Sequence, residues 1–423
     1  MAFSSEIYLN QTPLRMETDP STGGYVQLLG ETYYRIAHYD QMPPFFMSLV
    51  SGADHWLFIA SNGGLTAGRA NADAALFPYE TEDKLIAHSE QTGGKSILRV
   101  TRNGRTYLWE PFSERYAGVY CRDRHLYKNI YGNKLIFEEV NHDLQLTLRQ
   151  VWRTGDRFGF IRSGWLQNDG DEACRVTLLD GLQNLLPYGA TADLQNSLSN
   201  LLDAYKRNEL DPATGLGIFA LSATLTDRAE PSESLQATVA WQVGLDVGCY
   251  LLSTGQMDAF RYGWPLTLEQ DVPGKAGAFL ATSSFTLPPG EMKQWHIVAD
   301  VNQDGADVVR LGRLLGQEAD TLSRQLEVDI QATTELLVNY VAAADGLQRT
   351  DSKATGAHHF ANVMFNIMRG GIFADGYRVE KQDLLAFIRT RNRPVLQTHA
   401  EWFAALPDSL AIDRLYALSL IHI

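Results

Sequence analysis

Cysteine is scarce: Cys121, Cys174 and Cys249 are the only three in 423 residues. An odd, widely spaced set excludes a disulfide framework and a zinc ribbon. A reducing compartment, the cytoplasm, is the expectation. Basic charge is in deficit, with 36 Lys plus Arg against 50 Asp plus Glu and a formal net charge of −14. That balance argues against a nucleic-acid partner, because phosphate attraction needs basic patches. No run approaches the ~20 apolar residues that span a bilayer, so no membrane partner is expected. The opening Met1-Ala2-Phe3-Ser4-Ser5-Glu6 has no basic stretch before an apolar core, so no secretory signal is read there. Apolar residues at 45% and charged residues at 20% fit a folded chain of two or three domains, or one large β domain with additions.

The usual catalytic signatures are missing too. There is no Gly-x-Ser-x-Gly elbow, no phosphate-binding Gly-x-x-x-x-Gly-Lys loop, no His-Glu-x-x-His and no Cys-x-x-Cys. The doublet His358-His359 cannot chelate like an i, i+4 pair, since neighbours on a helix point about 100° apart. It is read as structural or as a helix start. Hydrolysis of a glycosidic bond needs two carboxylates about 5–10 Å apart, and no such pair stands out. The expectation is no metal, no cofactor and no assignable catalytic residue.

What is present is a long series of short strands. Ser96-Ile97-Leu98-Arg99-Val100 runs into Asn103-Gly104, a dipeptide that favours a tight hairpin because both residues tolerate positive φ. Leu144 to Trp152 alternates with period two, which predicts one buried and one solvated face. Asn168-Asp169-Gly170-Asp171 is a strong turn signal between two further strands. The expected fold is mainly β with α: a large antiparallel β-sandwich over 1–303. A helical insertion is expected near 192–208, where Leu194, Leu198, Leu201, Leu202 and Tyr205 fall at helical spacing. Linker helices are expected over 304–346, and the start of an (α/α) helical domain over 347–417. In that last part a helix over about 358–369 would stop at Gly370-Gly371. Its apolar Phe360, Val363, Met364, Ile367, Phe387, Ile388, Trp402 and Phe403 are expected to lack a partner surface. Residues 418–423, Leu-Ser-Leu-Ile-His-Ile, read as an assembly artefact, with the natural sequence continuing differently; the alternative is a genuine apolar C-terminus.

Substrate-binding candidates are Arg69, Trp109, Glu110, Arg122 and Asp123. Arg69 follows the glycine-rich Gly63-Gly64-Leu65-Thr66-Ala67-Gly68 and could fork onto a hydroxylated partner. The competing reading is a tight inter-strand loop with glycines at positive φ. The aromatic-rich Tyr107-Leu108-Trp109-Glu110-Pro111-Phe112, followed by Tyr120-Cys121-Arg122-Asp123-Arg124, would suit sugar stacking. In a sandwich such rings are more often core or edge packing.

Two stretches carry a resemblance. Asn62 to Arg69, continuing through Leu76-Phe77-Pro78-Tyr79-Glu80-Thr81-Glu82-Asp83-Lys84, and Phe360 to Phe373 with Tyr377-Arg378, resemble large cellobiose-phosphorylase-like proteins related to glycoside hydrolase family 94. The resemblance implies inverting cleavage of β-glucosides or related oligosaccharides by inorganic phosphate. It also implies a sandwich that shapes the mouth of an (α/α)6 barrel, and a homodimer. The barrel would carry the catalytic acid, so this chain reads as a fragment, inactive alone. A glucosidase of the same plan that uses water, and a carbohydrate-binding protein without catalysis, are the alternatives.

Overall fold

The structure, a computed structural model, describes residues 7–15, 19–223, 236–348, 350–369 and 378–415. Gly370-Gly371, Phe373, Tyr377 and the tail 418–423 lie outside the described residues. The chain is mainly β and divides into two compact units, 1–334 and 335–423. No helix among the described residues is long and apolar enough to cross a membrane.

The first unit is a sandwich of antiparallel sheets. An eleven-stranded sheet runs from Thr22–Leu28 at one edge to Asp271–Pro273 at the other, with Gly159–Asn168 and Met292–Asp304 near its centre. Facing it is a five-stranded sheet built around Gly93–Arg102, Cys174–Leu185 and Gly277–Leu287. A four-stranded sheet, Phe46–Leu49, His55–Ala60, Leu65–Arg69 and Ala75–Phe77, sends Leu57, Ile59, Leu65 and Phe77 into the same core. The hairpin at Asn103-Gly104 forms as expected, with φ of 50° and 76° and Arg102 opposite Arg105.

Period-two alternation sorts the side chains. Along Cys174–Leu185, Leu178 and Leu182 enter the inter-sheet core. Leu179 points the other way and packs with Ile97, Leu251, Met257, Phe260 and Leu280, under the short helix Met257–Tyr262. Asp180, fully buried, faces the core beside Leu178 and meets Arg162 of the opposite sheet at 2.5 Å. It also accepts from Trp295 Nε1 at 2.6 Å and from the Ser96 hydroxyl. Gly164 makes room for Trp295, since a Cβ there would lie 2.4 Å from its ring.

One expectation fails here. The second face of Leu146–Gly155 is not solvated: Thr147, Val151 and Arg153 are all buried. Val151 packs among Tyr33, Tyr127, Ile136 and Trp165, while Arg153 reaches Ser163 at 2.7 Å and Glu327 at 2.8 Å. Side chains of the sheet's own strands cover Val151, a helix supplies only the Glu327 partner of Arg153, and the helical cover lies over the neighbouring strands. Asp304 caps Gly305–Leu315 through a reciprocal bond with Asp307. Leu311 and Leu314, with Leu322, Leu326 and Ile330 of Ala319–Ala343, then lie on Phe158, Ile161, Val239, Trp241 and Val298. The insertion is the helix Ala192–Tyr205, capped by Thr191, and Lys206–Asp211 after it is already a strand.

The second unit holds the helices Lys353–Met368, Lys381–Arg391, Arg393–Thr398 and Ala400–Ala404, and a hairpin pairing Arg378–Glu380 with Ser409–Ala411. His358 and His359 lie in the second turn of Lys353–Met368, and His359 Nε2 bonds to Asp345 O at 2.9 Å. Phe360, Val363, Met364 and Phe403 are buried, contrary to expectation. Phe387, at 64% exposed, and Trp402 remain outside.

Two stability predictions arise from this core. Asp180→Asn leaves the Arg162 charge unpaired in a dry site and should lower unfolding free energy by about 3–5 kcal/mol. Arg162→Met with Asp180→Leu should recover much of that in urea titrations. His55 and His296 are buried neutral, and burial pushes them down to about 2 and about 4 from 6.5. The unfolded chain therefore binds their protons first, so stability falls as pH drops from about 6.5 through about 4. Thermal melts across that range should show the loss, and His296→Gln should reduce it by about 3 kcal/mol.

Candidate functional site

The site grows from one buried carboxylate. Glu110, 4% exposed, follows the strand Arg105–Trp109 and sits between two cations. Arg261 forks onto it at 2.7 and 2.9 Å from the helix Met257–Tyr262. Lys95 reaches it at 3.1 Å from the neighbouring strand and also holds Glu90 at 2.7 Å. Arg261 further bonds Asp258 at 2.7 Å. Over these groups opens a cleft of about 530 Å³, lined by Glu90, Lys95, Asn184, Asp258, Arg261 and Arg115.

A second cluster adjoins it. Glu90 accepts the Glu114 backbone N–H at 2.9 Å, and the Glu114 carboxylate meets both Arg124 and Arg122, the latter at 3.4 Å. Arg124 pairs with the buried Glu139 at 2.8 Å. Glu139 also accepts from Trp109 Nε1 and from Phe112 N, each at 2.7 Å. Phe112 has a φ of 63°, a left-handed conformation that this bond holds in place.

The structure thus gathers Trp109, Glu110 and Arg122 into one web and leaves Arg69 and Asp123 outside it. Trp109 is 1% exposed, so it offers no face to a sugar; its ring is core and its N–H is an anchor. Glu110 is equally enclosed and acts through the cations it fixes. Arg122 shares a strand face with Arg124, whereas Asp123 points the other way, onto His142 at 2.9 Å. Arg69 forks onto Asp300 at 2.7 and 3.0 Å and also bonds Asp54 and the Asp156 carbonyl. Its donors join parts of the sandwich and leave no fork for a ligand. The glycine-rich turn is structural as well: Gly63 has φ 90°, and a Cβ on Gly64 would lie 1.9 Å from the Leu85 carbonyl.

The electrostatics decide what the cleft can do. Burial alone would raise Glu90, Glu110 and Glu114. Lys95 for Glu90, Arg261 with Lys95 for Glu110, and Arg124 for Glu114 outweigh it and hold each below the ordinary carboxylate range. These carboxylates stay ionised at neutral pH. They accept hydrogen bonds and do not act as general acids there.

Residues 373–420 match the family model of glycoside hydrolase family 149 insertion domain 1. No curated protein matches the chain. Similar solved structures include a bacterial glucoamylase complexed with acarbose, at 9% identity and TM-score 0.40, covering 95% of this chain and 55% of that one. A polysaccharide lyase has 13% identity and TM-score 0.33 over 61% of this chain and 32% of that one. A heparinase III gene product has 9% identity and TM-score 0.25 over 62% and 35% respectively. The chain spans about half the length of that glucoamylase, and about a third of the other two.

Lys95, Arg261 and Glu139 carried no signal in the sequence, because Glu110 and Arg124 meet them only in the folded chain. Lys95→Met removes one of the two cations on Glu110, which keeps Arg261, and should lower stability by about 2 kcal/mol in urea unfolding at neutral pH. Below the ordinary carboxylate range the difference should shrink, since the partners are then protonated in the unfolded chain and their low folded values no longer help.

Proposed function

We propose that the chain belongs to an inverting glycoside phosphorylase acting on β-glucosides or related oligosaccharides, of the cellobiose-phosphorylase-like kind. The sandwich cleft over Lys95, Glu110 and Arg261 holds sugar hydroxyls. The observation that carries this reading is the family match at 373–420, in one chain with a sandwich cleft whose charges are fixed and paired. Oligosaccharide and inorganic phosphate are the partners of the whole protein, in the cytoplasm and as a homodimer. In that chemistry a carboxylic acid protonates the leaving oxygen while phosphate attacks from the opposite face of the ring. The ionised cleft carboxylates suit binding, and the acid is assigned to none of them.

The matching family is a glycoside hydrolase by name, and that favours a second reading, hydrolysis by water on the same plan. Incubation of the protein in its complete reading frame with β-linked oligosaccharides, with and without inorganic phosphate, separates the two. Sugar 1-phosphate with inverted configuration, formed only when phosphate is present, is the expected result. Free sugar released without phosphate would establish the hydrolase, and no product from any glycoside would contradict both.

A further inference from the structure

A cleft of about 540 Å³ opens beside the helical cover of the eleven-stranded sheet, lined by Asp246, Lys293, Gln294, His296, Asp320 and Ser323. It shares no lining residue with the cleft over Glu110. His296 alternates with the core residues Trp295 and Ile297, so it points to the helical side of its sheet. The walls are fixed by the chain. Gly244, with φ 99°, lets its turn close on Met292–Asp304, since a Cβ there would lie 2.8 Å from the Gln294 carbonyl. Gln242 Oε1 accepts the Leu245 N–H at 3.2 Å, and the Asp246 carbonyl accepts the Ser283 hydroxyl at 2.7 Å. Asp320 and Ser323 come from the first turns of the helix Ala319–Ala343.

A chain of hydrogen bonds ends on His296. Glu327 holds Arg153 Nη1 at 2.8 Å, and Arg153 Nη2 donates to the Ser163 hydroxyl at 2.7 Å. A guanidinium only donates, so the Ser163 hydroxyl keeps its own proton for His296 Nδ1, 2.7 Å away. The neutral ring therefore carries its proton on Nε2. The ring is 2% exposed, and its Nε2 neighbour is the exposed Gln294 side-chain amide at 3.5 Å, the long limit of a hydrogen bond. A buried donor is thus poorly used in a ring that lines the cleft. Lys293, Asp246 and Asp320, in the same lining, enter no ion pair among the described residues.

We propose that this cleft binds a free amino acid with a basic side chain, at a site separate from the sugar-handling surface. The His296 Nε2–H and the Lys293 ammonium are donors for the ligand carboxylate, and Asp246 and Asp320 are acceptors for its cationic groups. With the imidazole neutral, two carboxylates stand against one lysine, so the cleft has one negative charge in excess. That balance favours a ligand with one carboxylate and two cationic groups, and it disfavours phosphate or a dicarboxylate. A neutral ligand would leave all three charges unpaired. The volume lies in the range of small-molecule sites.

Calorimetric titration of the purified chain with L-arginine at low ionic strength tests it. Agmatine, which lacks the carboxylate, and L-glutamate, which reverses the charge balance, are the comparisons. L-Arginine should bind one to one, with agmatine and L-glutamate each at least about tenfold weaker. Asp320 is exposed and Lys293 half-buried, so Asp320→Asn and Lys293→Met should keep the melting temperature. Each should weaken L-arginine about tenfold, and Lys293→Met should leave agmatine unaltered, because agmatine has no carboxylate for that lysine. No one-to-one binding of L-arginine, equal affinity for agmatine, or an affinity that survives both variants would overturn the proposal. None of these results bears on glycoside cleavage, so the proposed function stands or falls separately.

Discussion

The two sheets of the sandwich are held in register by a charge pair in a place that should be apolar. Arg162 and Asp180 come from opposite sheets, are 1% and 0% exposed, and meet at 2.5 Å. A buried ion pair gains little over a well-packed apolar one, yet losing one partner is severe. Its use here is directional. Asp180 also binds Ser96 and Trp295, and Ser96 accepts from Gln150, so four strands are referenced to one carboxylate. The strand that carries Ser96 carries Lys95 as its neighbour, pointing out of the opposite face. The position of the cleft is thereby set by the core behind it.

The cleft repeats the same logic at the surface. Glu110 and Glu139 are enclosed and each is surrounded by donors, so the cations and aromatic N–H groups around them have fixed positions. Such preorganisation removes the ordering cost that a flexible charged surface would meet on binding a sugar. It also commits the carboxylates to the ionised state, so none of them serves as a general acid at neutral pH.

Local chemistry was legible in the sequence. Asn103-Gly104 predicted its hairpin because positive φ is a property of those two residues alone. The alternation through Leu146 and Trp152 predicted a strand, but its second face is covered by Tyr33, Tyr127 and Trp165 of other strands and by Glu327 of a helix, and period two within one strand cannot reveal a cover so distant in sequence. The site was legible in part. Trp109, Glu110 and Arg122 share a web, but their partner Arg261 lies 151 residues beyond Glu110, and only the folded sheets join them. Trp109 illustrates the other limit. An indole that stacks on sugar and one that anchors a core are the same residue, and burial alone tells them apart.

The central claim is that the sandwich cleft is a sugar-holding surface with fixed charges. A crystal structure of the protein grown with a gluco-oligosaccharide tests it most directly. The account predicts pyranose rings in the cleft, with hydroxyls on Lys95, Glu90 and the Asn184 carbonyl oxygen, and the Glu110–Arg261 pair unmoved. Sugar bound solely elsewhere on the chain, with the cleft holding only water, would contradict it.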